Sequence, residues 1–336
     1  MQSTDRFLLT GAGFTHNFGG PLARELWAMI FSHPRLQKVP TLRELFLQNF
    51  DFEDVYYSVM EGSYPPAVKQ ALGLVVSEAY DAIDDAVRDF KSGGHSPFPV
   101  NIYGVQELIA AFSGTRKYPG FFFTLDQDLF VERHYYNGPR LQLPGMQTRQ
   151  NWFSGNARKP LEPQDYCQAP TEPELAVAKV SLLHGNEFYY LKLHGSCNWK
   201  SSSSPQHMVI GRGKEQQIKL EPLLAWYLEL FKIVLSKDES KLLVIGYGFA
   251  DTHVNNVIAD AVVNTGLRLY VVSPQSPSAF QASIQKNPRG DEIWRGLGGY
   301  YQYTLAQLFP ADKSETAAWR TVKRQFFEDR LTWSII

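Results

Sequence analysis

The 336-residue sequence has only two cysteines, no long apolar run and almost no net charge. Cys167 and Cys197 cannot supply the four ligands of a structural zinc site, so no metal is expected, and two free thiols are expected rather than a disulfide. No stretch approaches the roughly 18 apolar residues of a membrane span, and residues 1–10 lack the apolar core of a signal peptide. The sequence predicts a cytoplasmic protein without membrane contact.

The charges nearly cancel, with 33 Lys and Arg against 34 Asp and Glu. This balance argues against the broadly basic surface of a non-specific nucleic-acid binder, and no direct nucleic-acid partner is expected. Apolar residues make up 44% and charged residues 20%, which are the proportions of an ordinary folded protein. The composition therefore predicts a globular protein with an extensive core.

Five short apolar strands are predicted, each directly before a glycine or a polar turn: residues 6–10, 120–125, 189–193, 241–245 and 267–272. Strands that are apolar at nearly every position are typical of a parallel sheet covered on both faces. Helical segments separate them, so the fold class is α/β, a mostly parallel sheet with helices on both faces. Because ligands of such sheets bind beyond the carboxyl ends of the strands, polar clusters at those ends are candidate functional residues.

A large helical insertion follows the first strand. Apolar residues at three- and four-residue spacing run from Val68 to Phe90, and Gly93-Gly94 ends the pattern. The predicted organisation is a sheet domain over 1–20 and 115–310, an inserted helical layer over 21–114, and a C-terminal helix and tail over 311–336. The proline-rich stretch 139–173 and the serine run 201–204 are predicted to be surface loops.

The first candidate cluster is Gly11-Ala12-Gly13-Phe14-Thr15, which follows the first strand. Glycines at this place let the backbone turn tightly and approach a pyrophosphate, with the next helix N-terminus facing its charge. The dinucleotide fingerprint GxGxxG requires a third glycine where His16 stands, so the standard signature fails. A tight turn between strand and helix without a ligand is the alternative.

The second cluster follows the second strand and contains Thr124, Asp126 and Asp128. Two carboxylates at alternate positions of an extended segment project to the same side, where they repel each other unless a ligand or donor separates them. A structural alternative is that Asp128 caps a helix from Phe130 to Tyr136.

Two more clusters follow later strands. His194-Gly195 ends the third strand, and a histidine there can act as a general base near neutral pH. Gly246, Tyr247 and Gly248 follow the fourth strand, and Asp251 is a candidate cap of the helix after them. A structural histidine and a plain turn are the alternatives, and four other histidines compete for the catalytic role: His16, His134, His184 and His253.

The four clusters, in this order along one chain, resemble the motifs of the sirtuin family, and more closely those of the bacterial sirtuin-like NAD hydrolases of anti-phage defence. The resemblance implies a modified Rossmann-like domain that binds NAD as substrate. It implies that His194 activates a hydroxyl nucleophile and that Asp128 helps to hold the nicotinamide carboxamide. The residues expected at the dinucleotide are Gly11, Ala12, Gly13, Phe14, Thr15 and Thr124, with Gly246, Tyr247 and Gly248 behind the adenosine half.

The sequence departs from the sirtuin pattern in two places. Asp126 stands where the family has an asparagine, and an ionised aspartate only accepts hydrogen bonds whereas an amide also donates them. Asp126 is therefore either a natural variant or a handicap, and if it is a handicap Asp126→Asn raises activity. The second departure is the zinc module, because only Cys197 follows His194 where deacylating sirtuins carry four cysteines.

The resemblance predicts an NAD+ glycohydrolase that releases nicotinamide and ADP-ribose, with Asp126 beside the ribose and His194 as the general base. An NAD-dependent protein deacylase and a catalytically silent NAD or ADP-ribose sensor are the alternatives. The expected role is the effector of a bacterial abortive-infection system, working as a homo-oligomer or with a separate HerA-type ATPase or short Argonaute. Aromatic residues near the C-terminus form either an oligomer interface or part of the core: Tyr300, Tyr301, Tyr303, Trp319, Phe326, Phe327 and Trp333.

Overall fold

A computed structural model describes residues 3–90, 99–135, 141–142, 159–162, 165–182, 185–201 and 207–328. The strands are β1 (Arg6–Thr10), β2 (Gly120–Thr124), β3 (Leu141–Gln142), β4 (Cys167–Gln168), β5 (Phe188–Lys192), β6 (Gly195–Ser196), β7 (Trp199–Lys200), β8 (His207–Met208), β9 (Lys241–Ile245), β10 (Arg268–Val272) and β11 (Leu297–Tyr301). The five predicted strands correspond to β1, β2, β5, β9 and β10, with each end within one residue of the prediction.

The helices cover most of the intervening sequence. From β1 to β2 they are α1 (Ala12–Thr15), α2 (Ala23–Phe31), α3 (Pro34–Gln37), α4 (Pro40–Gln48), α5 (Phe52–Glu61), α6 (Pro66–Arg88) and α7 (Ile102–Ala110). Later come α8 (Phe130–His134), α9 (Glu172–Leu182), α10 (Lys214–Leu220), α11 (Pro222–Leu235), α12 (Thr252–Thr265), α13 (Pro277–Ile284), α14 (Gly290–Arg295), α15 (Leu305–Leu308) and α16 (Ala317–Lys323), which continues as a π-helical turn, Arg324–Glu328.

The main sheet has the order β11-β10-β9-β1-β2-β5-β3, and its strand pairings within the described residues are parallel. β1 lies near the middle, between β2 and β9. From β1 the chain forms β2, then β3 at the edge of the sheet, then β5 between β2 and β3. It next crosses to β9 and proceeds outward in the opposite direction through β10 to β11. The strand order therefore reverses beside β1, the place where ligands of open α/β sheets bind.

Both faces of the sheet are buried, as predicted. Leu8, Phe122 and Tyr190 point into a core shared with α2 to α7 and the C-terminal helix, whereas Phe7 and Phe121 point into a core shared with α11 and α12. Alternate residues of one strand serve opposite cores because successive strand side chains project to opposite faces. The α/β fold with helices on both faces and a helical insertion after β1 is confirmed.

Local sequence signals explain where the inserted helices begin. Asp51 accepts hydrogen bonds from the N–H groups of Glu53 and Asp54 and so caps α5, and Asn101 caps α7 in the same way. Pro66 stands at the start of α6, where its missing N–H is not needed. These helices end at Ala110, whereas the domain boundaries at residues 20, 114 and 310 stay predictions.

The aromatic residues near the C-terminus complete the core. Tyr301 and Phe326 are buried, and Trp319 and Phe327 pack against the same cluster. A homo-oligomer stays a prediction. Among the helices within the described ranges, none combines the length and apolar character needed to cross a membrane. Gly93-Gly94, His184, Trp333, most of the 139–158 stretch and residues 202–204 lie outside the described residues.

Candidate functional site

A pocket opens at the carboxyl ends of β1, β2 and β5 and encloses about 650 Å³, including its open mouth. Its floor comes from the turns after these strands and its roof from the inserted helices. The lining residues are Ala12, Thr15, Gly20, Pro21, Ala23, Leu26, Phe52, Glu53, Tyr80, Ile83, Leu125, Asp126, Gln127, Asp128, His194 and Val209. The turn after β1, both aspartates and His194 thus meet in one cavity, although they are far apart in sequence.

The glycines after β1 pack against the turn after β9. The N–H of Gly13 donates to the carbonyl of Gly246 at 2.9 Å, and the N–H of Gly11 donates to Ile245 at 3.2 Å. A Cβ on Gly13 would lie 2.8 Å from Cα of Gly246, which itself has a φ of +71° that favours glycine. Close packing of two strand-end turns therefore accounts for these glycines, and Gly11, Gly13, Gly246 and Gly248 are not among the lining residues.

Three other predicted cofactor-binding residues also lie outside the lining. Phe14 is 1% exposed and packs edge-on against the stacked rings of Phe18 and Phe130 in the core, and it is not among the lining residues. Thr124 is buried beneath the site, where its hydroxyl accepts a hydrogen bond from the N–H of Asp126. Tyr247 is buried as well, and its hydroxyl lies 3.0 Å from Oδ1 of Asn255.

Thr15 and Asp126 are joined across the pocket floor. The hydroxyl Oγ1 of Thr15 lies 3.1 Å from Oδ2 of Asp126, which also lies near Asp128. Burial, together with repulsion by Asp128, raises the pKa of Asp126 to about 8. At neutral pH its carboxyl is therefore mainly protonated. The place of Asp126 beside the ribose stays a prediction, and the low-polarity surroundings favour its neutral acid over the ionised form.

Asp128 differs from Asp126 because a buried cation accompanies it. Burial raises the pKa of Asp128, but the ammonium of Lys192 opposes this increase. Nζ of Lys192 contacts the main-chain carbonyl of Asp128 and lies 2.9 Å from Oε1 of Glu132. The Asp128 carboxylate also accepts the N–H of Phe130 at 2.8 Å. The N-cap of α8 is Leu129, without a side-chain cap hydrogen bond, so Asp128 is not the helix cap that the structural alternative predicted, and it lines the pocket. Lys192 is thus the main group that opposes the effect of burial at Asp128, whereas the negative charge of Asp128 adds to the effect of burial at Asp126.

Gln127 connects the turns around the pocket. Its Nε2 donates to the carbonyls of His194 at 3.1 Å and Val209 at 2.8 Å, and its Oε1 accepts from the hydroxyl of Tyr80 on α6. The side-chain amide of Gln127 thus fixes the turn after β5 and connects the sheet to the helical layer by hydrogen bonds. The sequence analysis missed this residue. Its only signal was a polar side chain between two aspartates at a strand end.

His194 is buried and pairs with a second histidine. Its Nε2 lies 3.0 Å from Nε2 of His253, and the two rings are 4% and 6% exposed. Burial lowers the pKa of His194 to about 3 and also lowers that of His253, so both rings are neutral at pH 7. Among the competing histidines within the described residues, none lines the pocket, because His16 and His134 contact the carbonyls of Gly20 and Val87.

Asp251 lies beside this pair and does not cap α12 with its side chain, contrary to prediction. Its carboxylate instead accepts from Nζ of Lys214 at 2.9 Å. Burial alone would raise the pKa of Asp251, but His194 and Lys214 lower it below the ordinary value. The ligand atoms of His194, Asp251 and His253 lie within 4.8 Å of one another, a spacing that suits a divalent cation. The ammonium of Lys214 opposes a second cation there.

The helical layer contributes a charged group to the roof. Oε2 of Glu53, on α5, lies 2.8 Å from Nζ of Lys214, so Lys214 bridges Glu53 and Asp251. The two carboxylates raise the pKa of Lys214 despite its burial, and the lysine stays charged. This bridge joins the helical layer to the turn after β9. Sequence reasoning considered Asp251 only as a helix cap and missed Glu53 and Lys214, because a charged residue in a helix gives no local sign of its partner.

Comparison with known families agrees with part of this arrangement. A family model described as a SIR2-like domain matches residues 160–293, the segment that contains β5, His194, Lys214 and the turn after β9. β1, β2 and Asp126 lie outside the match. No curated protein matches the chain. From β5 to α14 the chain is thus similar to SIR2-like domains, and this supports a sirtuin-like family for the protein.

Proposed function

We propose that the protein is an NAD+ glycohydrolase that cleaves the bond between nicotinamide and ribose. The observation that carries the proposal is the single pocket in which the turn after β1, the carboxyls of Asp126 and Asp128 and the imidazole of His194 meet at the reversal of strand order. The SIR2-like match supports NAD as the ligand. Hydrolysis is favoured over transfer to a protein because the chain has only two cysteines where deacylating sirtuins carry a quartet, and because inserted helices roof the cavity.

The reaction requires few catalytic groups from the protein. Nicotinamide bound to ribose is already cationic, so it leaves with the bonding electron pair and needs no acid. Water supplies its oxygen to the ribose carbon, and one water proton passes to His194, whose neutral ring can accept it. The carboxyl oxygens of Asp128, which lines the pocket, can accept hydrogen bonds from the carboxamide of nicotinamide. ADP-ribose, nicotinamide and a proton are the products.

The sequence differs from the sirtuin pattern at Asp126, where the family has an asparagine that both donates and accepts hydrogen bonds. A protonated Asp126 can do the same, so this difference does not argue against activity. A neutral carboxyl both donates and accepts hydrogen bonds, as the asparagine of the sirtuin pattern does. The Thr15 hydroxyl lies 3.1 Å from one oxygen of Asp126, and the Asp126 carboxyl lines the pocket, where it can meet a ribose hydroxyl. Asp126 is therefore proposed as a working substitute for asparagine below its pKa.

The test is to incubate the purified full-length protein with NAD+ and to follow nicotinamide and ADP-ribose by chromatography. Nicotinamide release by the wild type and its loss in His194→Ala support the proposal. His33→Gln serves as the control, because His33 pairs with Glu78 on the surface. NAD binding without turnover would support the sensor instead, and O-acetyl-ADP-ribose formed from an acetyl-lysine peptide would support the deacylase.

The biological role is proposed on the resemblance alone. Such an enzyme would deplete NAD in an infected cell as the effector of an anti-phage system. Activity would then depend on self-assembly or on a separate HerA-type ATPase or short Argonaute. Repeating the NAD assay with each candidate partner, and measuring the mass of the assembly by light scattering, tests this role.

A further inference from the structure

The two buried histidines, His194 and His253, are joined by a hydrogen bond between their rings. The Nε2 atoms of His194 and His253 are 3.0 Å apart, which is a hydrogen-bond distance, so one nitrogen carries hydrogen and the other offers a lone pair. Because both rings are neutral at pH 7, each has one N–H. The pairing therefore ties the tautomer of His194 to that of His253.

His253 can influence the reaction only through its contact with His194. It lies in the first turn of α12 and is not among the pocket residues, whereas His194 is. The start of α12 is held in place by Asn255, whose Nδ2 donates to the carbonyl of Phe249 at 2.7 Å and whose Oδ1 lies 3.0 Å from the Tyr247 hydroxyl. His253 is thus presented to His194 from a fixed helix.

We propose that His253 is a positioning residue that keeps the hydrogen of His194 on Nε2 and so leaves Nδ1 as the atom that accepts the proton of the attacking water. The inference rests on the proposed glycohydrolase function. In the hydrolytic step the water oxygen bonds to the ribose carbon, nicotinamide leaves with the electron pair, and the water proton moves to Nδ1 of His194. His194 is then an imidazolium whose Nε2–H still donates to His253.

Burial lowers the pKa of His194 and so disfavours this transient cation, and the surrounding charges act on it in both directions. Asp251 is ionised and lies beside both rings, so it stabilises the imidazolium as the buried aspartate of a catalytic triad does. Lys214 opposes it, and Glu215 acts on His253 from α10 with a negative charge. Within the described residues, Nδ1 of His194 has no hydrogen-bond partner, and His194 is a lining residue of the pocket.

The first experiment does not depend on turnover. The full-length protein is labelled with ¹⁵N in its histidine rings, and long-range proton–nitrogen spectra are recorded for the wild type, His253→Gln, His253→Phe and the surface control His33→Gln. We expect His194 in the wild type to show protonated Nε2 and bare Nδ1. His253→Phe should mix the two tautomers, and the control should not. An unchanged His194 spectrum in His253→Phe would overturn the proposal.

The second experiment measures kinetics with NAD. Since His253 lies outside the pocket, His253→Phe should lower kcat by about ten- to a hundredfold with KM within twofold of the wild type. His253→Gln should recover part of the loss, because its amide oxygen can accept from Nε2–H. A raised KM with unchanged kcat contradicts the proposal. If the wild type releases no nicotinamide, the glycohydrolase proposal fails while the ring spectra still test the pairing.

A divalent metal is the competing explanation for the same three side chains. Titration with Zn²⁺ followed by calorimetry distinguishes the two. Stoichiometric binding that is lost in both His253→Gln and Asp251→Asn would make the cluster a metal site and overturn the positioning role. Absence of such binding, with the shift in tautomer, supports it.

Discussion

Gly13 and Gly246 lie with their backbones in direct contact, at the junction of the turns after β1 and β9. The N–H of Gly13 donates to the carbonyl of Gly246, and no side-chain atom separates the two segments. The floor of the pocket therefore depends on a backbone-to-backbone contact between strands that are neighbours in the sheet but more than 200 residues apart in sequence.

The contact predicts that Gly246→Ala is strongly destabilising. A Cβ there would collide with the backbone nitrogen of Phe14, and the φ of +71° is unfavourable for alanine. We expect a loss of about 3 kcal/mol or more in the free energy of unfolding, measured with urea. Gly248→Ala is the matched control, since nothing lies within 4 Å of its Cβ. Equal stability of the two variants would contradict this account.

The protonation of Asp126 predicts a pH dependence of activity. Because burial raises its pKa to about 8, the neutral form that donates to the ribose is lost as the pH rises through 8. Wild-type kcat should therefore fall above pH 8, and Asp126→Asn should remove this decrease while having similar activity at pH 7. This differs from the sequence-based expectation of a general gain. A gain at every pH would show that Asp126 is ionised in the active protein.

The same group predicts a change of stability with pH. Its pKa in the folded state exceeds the unfolded value of 3.8, so its stabilising contribution is complete below pH 3.8 and is lost by about pH 8. Asp126→Asn lacks this loss. The melting temperature of Asp126→Asn relative to the wild type should therefore rise between pH 5 and pH 8 and then level off. A constant difference across this range would rule out the raised pKa.

His194→Ala should reduce nicotinamide release by at least about a hundredfold, because the general base is removed. The melting temperature should remain within a few degrees of the wild type, and NAD binding measured by calorimetry should persist. Full turnover in this variant would remove His194 from the mechanism.

Lys214→Met should destabilise the protein by about 2 kcal/mol, because it leaves the carboxylates of Glu53 and Asp251 facing each other without a cation. Adding Glu53→Gln should recover part of the loss. Lys219→Met is the control, since Lys219 forms an exposed pair with Glu215 one helical turn away and should lose less than about 0.5 kcal/mol. Chemical unfolding measures all three, and equal losses at the two lysines would contradict the bridge.

The sequence was sufficient to predict the strands that are continuous apolar runs before a glycine or polar turn. β11 was missed because its residues Leu297–Tyr301 contain two glycines and alternate little in polarity. Those glycines lie against the ring of Tyr270, where a Cβ on Gly299 would come within 2.8 Å. The sequence analysis assigned the aromatic residues there to an oligomer interface or to the core and predicted no strand. Tyr301 belongs to β11, the edge strand that pairs with β10.

The residues of the site also fall into a group that the sequence predicted and a group that it did not. Thr15, Asp126, Asp128 and His194 were predictable because each follows a strand, and the ends of parallel strands meet. Gln127, Glu53, Lys214 and His253 were not identified as parts of one site, because their partners lie on other elements and only the packed fold sets those distances. The raised pKa of Asp126 could not be predicted from the sequence either, because its main cause is burial in the folded protein.

The bridge from Glu53 through Lys214 to Asp251 has a mechanical consequence. It connects α5, on the outer layer of helices, with the carboxylate that stands beside the buried imidazole pair. A displacement of α5 would strain or break this connection and alter the electric field at His194 without anything entering the cavity. The position of an inserted helix and the electrostatic surroundings of His194 are thus coupled through two salt bridges.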